Sequence, residues 1–133
     1  MTTTASTTTD TVARLLDDLA AGRGVDPTLF ADDVVLDATV PNWRLEVAGR
    51  DRVVAQFGAW FAHPGEYESV RRQPTPTGEA LELYLCWEED GVPFAAHQLH
   101  LLDIEHGRIQ RDTMFCGGRW PAPLLAEMEA ARG

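Results

Sequence analysis

Three polar residues that can transfer protons or donate hydrogen bonds, Gln98, His100 and Asp112, lie on two apolar segments separated by His106-Gly107. Apolar residues recur at nearly every second position on both sides of this glycine, which predicts a β-hairpin. Side chains alternate along a strand, so Gln98 and His100 share a face with Leu102. The pattern therefore predicts that His100 and Asp112 point into one apolar cavity.

These residue types suit the removal of a proton from a carbon next to a carbonyl group. Such a reaction needs a base and hydrogen-bond donors aimed at the oxygen of the developing enolate. Asp112 is the candidate base, and His100 and Gln98 are the candidate donors. Large hydrophobic side chains would bind a flat, apolar substrate, and the candidates for this role are Trp43, Phe57, Trp60, Trp87 and Met114.

The same residues also allow a purely structural interpretation. His100 can be a core histidine whose hydrogen bonds are satisfied by Asp112. Asp112 can instead face outward and form an ion pair with Arg108 or Arg111. The sequence leaves these alternatives open.

Other candidate sites are weaker. Asp37 is a second carboxylate on a predicted strand, but its alternation with Leu36 and Ala38 points its side chain away from the cavity. The histidines have no carboxylate or cysteine at a spacing typical of metal ligands, and no glycine-rich phosphate-binding loop is recognisable. We therefore expect neither a metal site nor a cofactor.

The elements that would position the candidate residues fall into helical and strand-rich groups. Helices are predicted from Asp10 to Gly22, after Asp26-Pro27, from Gly49-Arg50-Asp51 to His63-Pro64-Gly65, and from Pro121 to Arg132. Strands are predicted over 34–40, 43–47, 66–73, 79–89, 93–105 and 108–116. This order favours an α+β fold with helices packed on the concave face of a curved sheet.

Composition limits the classes of function. The 133 residues are 44% hydrophobic, which is enough for one domain over 10–133, and the Thr-rich residues 1–9 are predicted to be a disordered tail. A net charge of −10 argues against nucleic acid as a partner. No segment is apolar enough to span a membrane, and Cys86 and Cys116 read as free thiols, so we expect a cytoplasmic protein.

Several segments resemble the nuclear-transport-factor-2-like (NTF2-like) superfamily. They are the segment Leu29–Val35, the helix start Gly49-Arg50-Asp51, and the hairpin Glu105-His106-Gly107-Arg108-Ile109. The resemblance extends from about Val12 to Phe115 and implies a cone-shaped α+β domain. The superfamily includes ketosteroid isomerases, limonene epoxide hydrolases and SnoaL-like polyketide cyclases, so its fold alone does not define a reaction.

Two of these activities lack their key residues here. Where a ketosteroid isomerase has its base and its oxyanion tyrosine, this chain has Ala38 and Leu15. Where a limonene epoxide hydrolase has the Arg and two Asp that hold water, it has Leu81, Leu83 and Met114. The resemblance therefore argues against both reactions.

The SnoaL-like cyclases are the most similar group. Their Gln-x-His pair and catalytic Asp match Gln98, His100 and Asp112, and the match implies an aldol ring closure begun by proton abstraction. The sequence thus predicts an acid/base enzyme, without cofactor, for a small apolar carbonyl compound. The alternative is a small-ligand-binding or dimeric structural protein. In either case, Leu99, Leu101 and Tyr84 on the outer sheet face predict a homodimer.

Overall fold

The computed structural model describes residues 4–133 of the chain. Within them, three α-helices and one 3-10 turn accompany seven strands. In chain order they are α1 (Thr4–Ala21), the turn Pro27–Leu29, β1 (Phe30–Val40), β2 (Trp43–Ala48), α2 (Arg50–Trp60), β3 (Gly65–Thr75), β4 (Gly78–Glu89), β5 (Val92–Glu105), β6 (Arg108–Cys116), β7 (Trp120–Pro121) and α3 (Ala122–Ala131).

The strands form one open, curved sheet in the order β2-β1-β6-β5-β4-β3, with the short β7 beside β5. β1 and β6 are parallel, and the other pairs are antiparallel. Register shifts interrupt the β1–β6, β3–β4 and β5–β6 pairs. An extra residue in one strand bends it and increases its twist, so these irregularities account for part of the curvature.

Helices α1 and α2 cover the concave face of the sheet, as the alternating pattern of the strands predicts. Leu15 and Leu19 of α1 are fully buried together with Leu83 of β4 in the main core. The Tyr67 hydroxyl donates a hydrogen bond of 2.6 Å to the carbonyl oxygen of Leu16. Burial raises the pKa of Tyr67, which keeps this donor protonated. The predicted α+β architecture is confirmed.

The first helix starts earlier than predicted. It begins at Thr4, so residues 4–9 of the expected disordered tail are helical, whereas residues 1–3 lie outside the described part of the chain. Tertiary contacts stabilise this extension and the turn that follows it. The Thr11 hydroxyl lies 2.6 Å from the carbonyl oxygen of Gly107, and Arg72 donates to the carbonyl oxygen of Thr9 at 2.9 Å.

The first strand also starts earlier than predicted, at Phe30 rather than at Val34. Asp32 and Asp33 break the apolar pattern because they are exposed where β1 shifts its register against β6. Phe30 nevertheless pairs with Ile109. No helix in the range 4–133 is long and apolar enough to cross a membrane.

Candidate functional site

A cavity of about 580 Å³ opens at one end of the curved sheet. Its wall comes from the ends of β1, β4 and β6, the starts of β2 and β5, and the end of α2. Five of the residues predicted to form the site line it, namely Trp43, Trp60, Trp87, Gln98 and Met114. The size suits a small organic ligand, and most of the wall is apolar.

The prediction that Phe57 binds substrate is wrong. Phe57 is fully buried in the main core, where its ring stacks on Phe30 at a centroid distance of 5.7 Å and lies 5.9 Å from Phe61. The helical pattern correctly predicted an inward side chain. It could not distinguish the part of the helix over the core from the part over the cavity.

Gln98, His100 and Asp112 form one hydrogen-bonded chain. Nδ1 of His100 lies 2.7 Å from Oδ2 of Asp112, and Nε2 lies 2.9 Å from Oε1 of Gln98. His100 is 0% exposed and Asp112 is 1% exposed. The predicted shared face is therefore confirmed, and the three residues meet as expected.

The expectation that His100 and Asp112 enter the cavity is wrong, because only Gln98 reaches it. Cys116, which lines the cavity, lies four residues beyond Asp112 on the same face of β6, a separation of about 13 Å along a strand. Met114 lies between them and is also part of the cavity wall. Asp112 thus lies beneath the cavity, and its second oxygen, Oδ1, has no hydrogen-bond partner among the described residues.

The chain of hydrogen bonds orients the Gln98 amide. The two ring nitrogens of His100 face one oxygen atom each, on Asp112 and on Gln98, so these two contacts fix the plane of the ring. Because Oε1 of Gln98 faces His100, the amide NH2 group points the other way, with Cys116 Sγ at 3.5 Å. An oriented hydrogen-bond donor therefore lies in the wall of the cavity.

The alternative of an outward-facing Asp112 is also wrong. Arg111 instead binds Asp37, its Nη2 lying 3.0 Å from Oδ2. Asp37 points to the outer face of the sheet, as predicted, and Arg44 binds it through two further hydrogen bonds of 2.8 and 2.7 Å. The hydrogen bond from Arg44, and the charges of Arg44 and Arg111, hold the pKa of Asp37 below its ordinary value.

Asp37→Asn is expected to destabilise the protein in a pH-dependent way. A carboxyl group with a lowered pKa in the folded state stabilises the fold at pH values above the unfolded-state pKa of about 3.9. The stabilisation is lost as the pH falls through the lower, folded-state value. The urea midpoint of the variant should thus lie below that of the wild type at pH 7, and the difference should shrink below about pH 4.

The matched control for this change is Asp33→Asn. Asp33 is exposed on the same strand and forms no ion pair within residues 4–133. Its substitution should leave the urea midpoint nearly unchanged at both pH values. A pH-independent loss in Asp37→Asn would show that the ion pairs are not the source of the effect.

Five polar residues of the cavity wall were not predicted from the sequence. They are Gln56, His63, Glu89, Cys116 and Arg119. Glu89 could have been found, because it continues the inward set of β4 two residues after Trp87. His63 and Arg119 carry no such signal, since both lie in irregular segments at the ends of α2 and β6.

Both cysteines are free thiols, as predicted. Cys116 faces the cavity, whereas Cys86 belongs to the outward set of β4 between the inward Leu85 and Trp87. Burial, together with the nearby Glu68 and Glu66, raises the pKa of the Cys86 thiol.

Known structures share this architecture at low sequence identity. An NTF2-like protein from Anabaena variabilis superposes with a TM-score of 0.69 at 13% identity, covering 88% of this chain and 94% of its own. An NTF2-like protein from Mesorhizobium loti gives 0.63 at 20% identity, with coverages of 89% and 97%. An LEH-like epoxide hydrolase from M. tuberculosis gives 0.64 at 12% identity, with 84% of each chain covered.

No protein-family model matches the chain, and no curated protein matches it. The structural likeness covers between 84% and 89% of this chain. The chain therefore has the NTF2-like fold.

Proposed function

We propose that the protein is an enzyme that needs no cofactor and transfers a proton at the carbon next to the carbonyl group of a small, largely apolar compound. The observation that carries this proposal is the Gln98 amide. Its NH2 group is held in the cavity wall by the buried His100–Asp112 pair. A fixed donor of this kind is suited to a carbonyl oxygen on which negative charge develops.

The shape and composition of the cavity support a flat substrate. The aromatic residues Trp43, Trp60 and Trp87 contribute to its wall together with Met114. Trp43 is 68% exposed and lies at the rim. Apolar walls with one oriented polar group are typical of sites that bind a small molecule in a defined orientation.

Among reactions of this class, an aldol ring closure fits best. The resemblance to the SnoaL-like cyclases implies an enolate that attacks a second carbonyl of the same molecule, and Gln98 would stabilise the enolate. Asp112 does not touch the cavity, so we assign it to orienting His100 rather than to proton abstraction. The water-holding residues of an epoxide hydrolase are replaced by the buried, apolar Leu81, Leu83 and Met114.

The proposal is tested with a panel of enolisable ketones: acetophenone, β-tetralone and a linear diketone able to close a ring. Proton NMR in D2O follows the loss of the α-proton signal, and tryptophan fluorescence follows binding. We expect the protein to accelerate exchange for at least one ketone of the panel. Ala96→Trp, which fills the cavity from a buried wall position, should abolish both signals.

A non-catalytic ligand-binding protein is the second candidate. It is favoured by the complete burial of the His100–Asp112 pair, which leaves both residues out of contact with a ligand. Under this alternative, ketones would quench the tryptophan fluorescence of the wild type without any acceleration of exchange. The two free thiols suit a reducing compartment, and we propose the cytoplasm as the location.

The outer face of the sheet supports a homodimer. Leu99, Leu101 and Phe115 form an exposed apolar stripe across β5 and β6, where Leu99 pairs with Phe115. Tyr84 lies on the same outer face, where its ring packs near those of His97 and Trp120 at distances of 5.6 and 6.2 Å. We propose that two copies of the chain pack together through this stripe.

Leu101→Glu is expected to convert the dimer into a monomer. A charge buried at the centre of an apolar interface lacks a partner and is strongly unfavourable. Sedimentation velocity at equal concentrations should show two masses, that of a dimer for the wild type and that of a monomer for the variant. Val92→Glu, on the same strand but outside the stripe, is the control and should remain dimeric.

A further inference from the structure

A cluster of side chains lies at the mouth of the cavity, and apart from the Trp87 ring in the cavity wall it has no part in the function proposed above. It consists of His63, Trp87, Glu89 and Arg119, all of which line the cavity. His63 follows α2, Trp87 and Glu89 lie at the end of β4, and Arg119 precedes β7. Three separate segments therefore meet in this group, which we call the mouth cluster.

Glu89 lies at the centre of the mouth cluster. Nε1 of Trp87 donates a hydrogen bond of 2.8 Å to its Oε2, and Arg119 forms an ion pair with the same oxygen. The Arg119 guanidinium lies over the rings of Trp87 and Phe94, 5.9 and 5.2 Å from their centroids. Oε1 of Glu89 faces His63, whose Nε2 lies 3.5 Å away.

The backbone that carries His63 is held by the end of α1. Gly22 has a φ angle of +69°, and a Cβ atom placed on it would lie 2.2 Å from the carbonyl carbon of His63 and 2.4 Å from the nitrogen of Pro64. Only a glycine can adopt this conformation and approach so closely without strain. The backbone of His63 is therefore packed against the end of α1, while its side chain is 42% exposed.

The ring of His63 has one polar partner among the described residues, Glu89. A proton on Nε2 directed at the Glu89 carboxylate leaves Nδ1 with a lone pair that can accept a proton. A carboxylate that orients an imidazole is a recurrent arrangement for a general base, and a separation such as this one shortens to a hydrogen bond in many enzymes only when substrate binds.

We propose that His63 is the base that removes the α-proton, with Glu89 as its positioning residue; this assignment rests on the function proposed above. Nδ1 of His63 takes the proton, the C–H electron pair forms the C=C bond of the enolate, and the carbonyl oxygen gains the negative charge beside the Gln98 amide. The imidazolium then returns a proton to the product. No oxidant or further reactant is required.

Deuterium exchange at the α-carbon of β-tetralone, measured by proton NMR in D2O, tests the assignment. His63→Ala and His63→Gln are expected to slow the catalysed exchange about 10²–10⁴-fold, the usual contribution of a general base. β-Tetralone should still quench the tryptophan fluorescence of both variants over the same concentration range. Added imidazole should partly restore exchange in His63→Ala, a rescue that a purely structural residue would not show.

His106→Ala is the matched control. His106 also pairs with a glutamate, with Nε2 3.6 Å from Oε1 of Glu105, but it lies in the turn between β5 and β6, away from the cavity. The exchange rate of β-tetralone with His106→Ala should equal that with the wild type. Glu89→Gln keeps an acceptor for Trp87 but loses the charge, and it should slow exchange less than either His63 variant.

The possible results separate this assignment from the function on which it rests. Exchange that continues at the wild-type rate in both His63 variants would overturn the role of His63 and leave the proposed function standing. If the wild-type protein binds ketones of the panel and accelerates exchange of none, the proposed function fails, and the role of His63 fails with it.

Discussion

Asp112→Asn is expected to lower the free energy of unfolding by about 1–3 kcal/mol, the usual cost of leaving a buried polar group unsatisfied. The variant keeps an oxygen for Nδ1 of His100 but places an NH2 group where Oδ1 of Asp112 now has no partner. The site is 0–1% exposed, so water cannot reach the new NH2 group to satisfy it. Urea denaturation monitored by circular dichroism measures the loss.

A double-mutant cycle with His100→Gln separates the pair from its surroundings. If the two side chains stabilise the fold through their mutual hydrogen bond, the double variant should lose less stability than the sum of the single variants. Additive losses would contradict a coupled pair. The exposed Asp33→Asn serves again as the control and should leave the unfolding curve in place.

Asp112→Asn also distinguishes an orienting role for Asp112 from the catalytic role that the sequence suggested. A base in contact with substrate could be replaced by Asn with loss of turnover and little loss of stability. If Asp112 is a buried residue that orients His100, the variant should instead lose much of its stability and only part of its activity. Stability and exchange rate are therefore measured on the same protein sample.

Gln98→Glu is expected to reduce kcat/KM for the best ketone of the panel about 10²–10³-fold, which corresponds to about 2.7–4 kcal/mol of transition-state stabilisation. The substitution keeps the volume of the side chain and an oxygen for Nε2 of His100. It replaces the amide NH2 group, which now points toward Cys116 and the cavity, with an oxygen. The enolate oxygen would then lack its donor and would face a negative charge.

The control for this substitution is Gln56→Glu. Gln56 lines the same cavity from α2, and its side chain has no hydrogen-bond partner within residues 4–133. Gln56→Glu therefore introduces an equal charge into the cavity without removing an oriented hydrogen-bond donor. Equal losses in both variants would show that charge in the cavity, rather than the missing amide, reduces the rate.

Local patterns in the sequence predicted most of the elements correctly. Alternation along β4, β5 and β6 predicted the inward faces, including the shared face of Gln98, His100 and Asp112. The period of a strand is a property of the backbone itself, so it can be read without the rest of the molecule. The start of α1 was missed because its Thr-rich turns are stabilised by contacts with distant residues such as Arg72, which donates to the carbonyl oxygen of Thr9.

The sequence did not show which residues of an inward-facing set lie at the cavity. Phe57 and Trp60 lie on one helix, yet Phe57 fills the core and Trp60 lines the cavity. Met114 and Asp112 lie on one strand face, yet only Met114 reaches the cavity. Which of these residues reaches the cavity depends on how the sheet bends and on which side chains fill its concave face. Both are properties of the assembled fold.

The sequence by itself determined the fold class, most of the helices and strands, and the set of inward-facing residues, because these follow from backbone geometry and the burial of apolar side chains. Only the tertiary structure decided where along those faces the cavity lies. It placed Asp112 beneath the cavity and Gln98 at its wall, and it brought His63 to Glu89 from a segment 26 residues away. Contacts of this kind depend on how α1, α2 and β4 pack together, and no local sequence pattern encodes that packing.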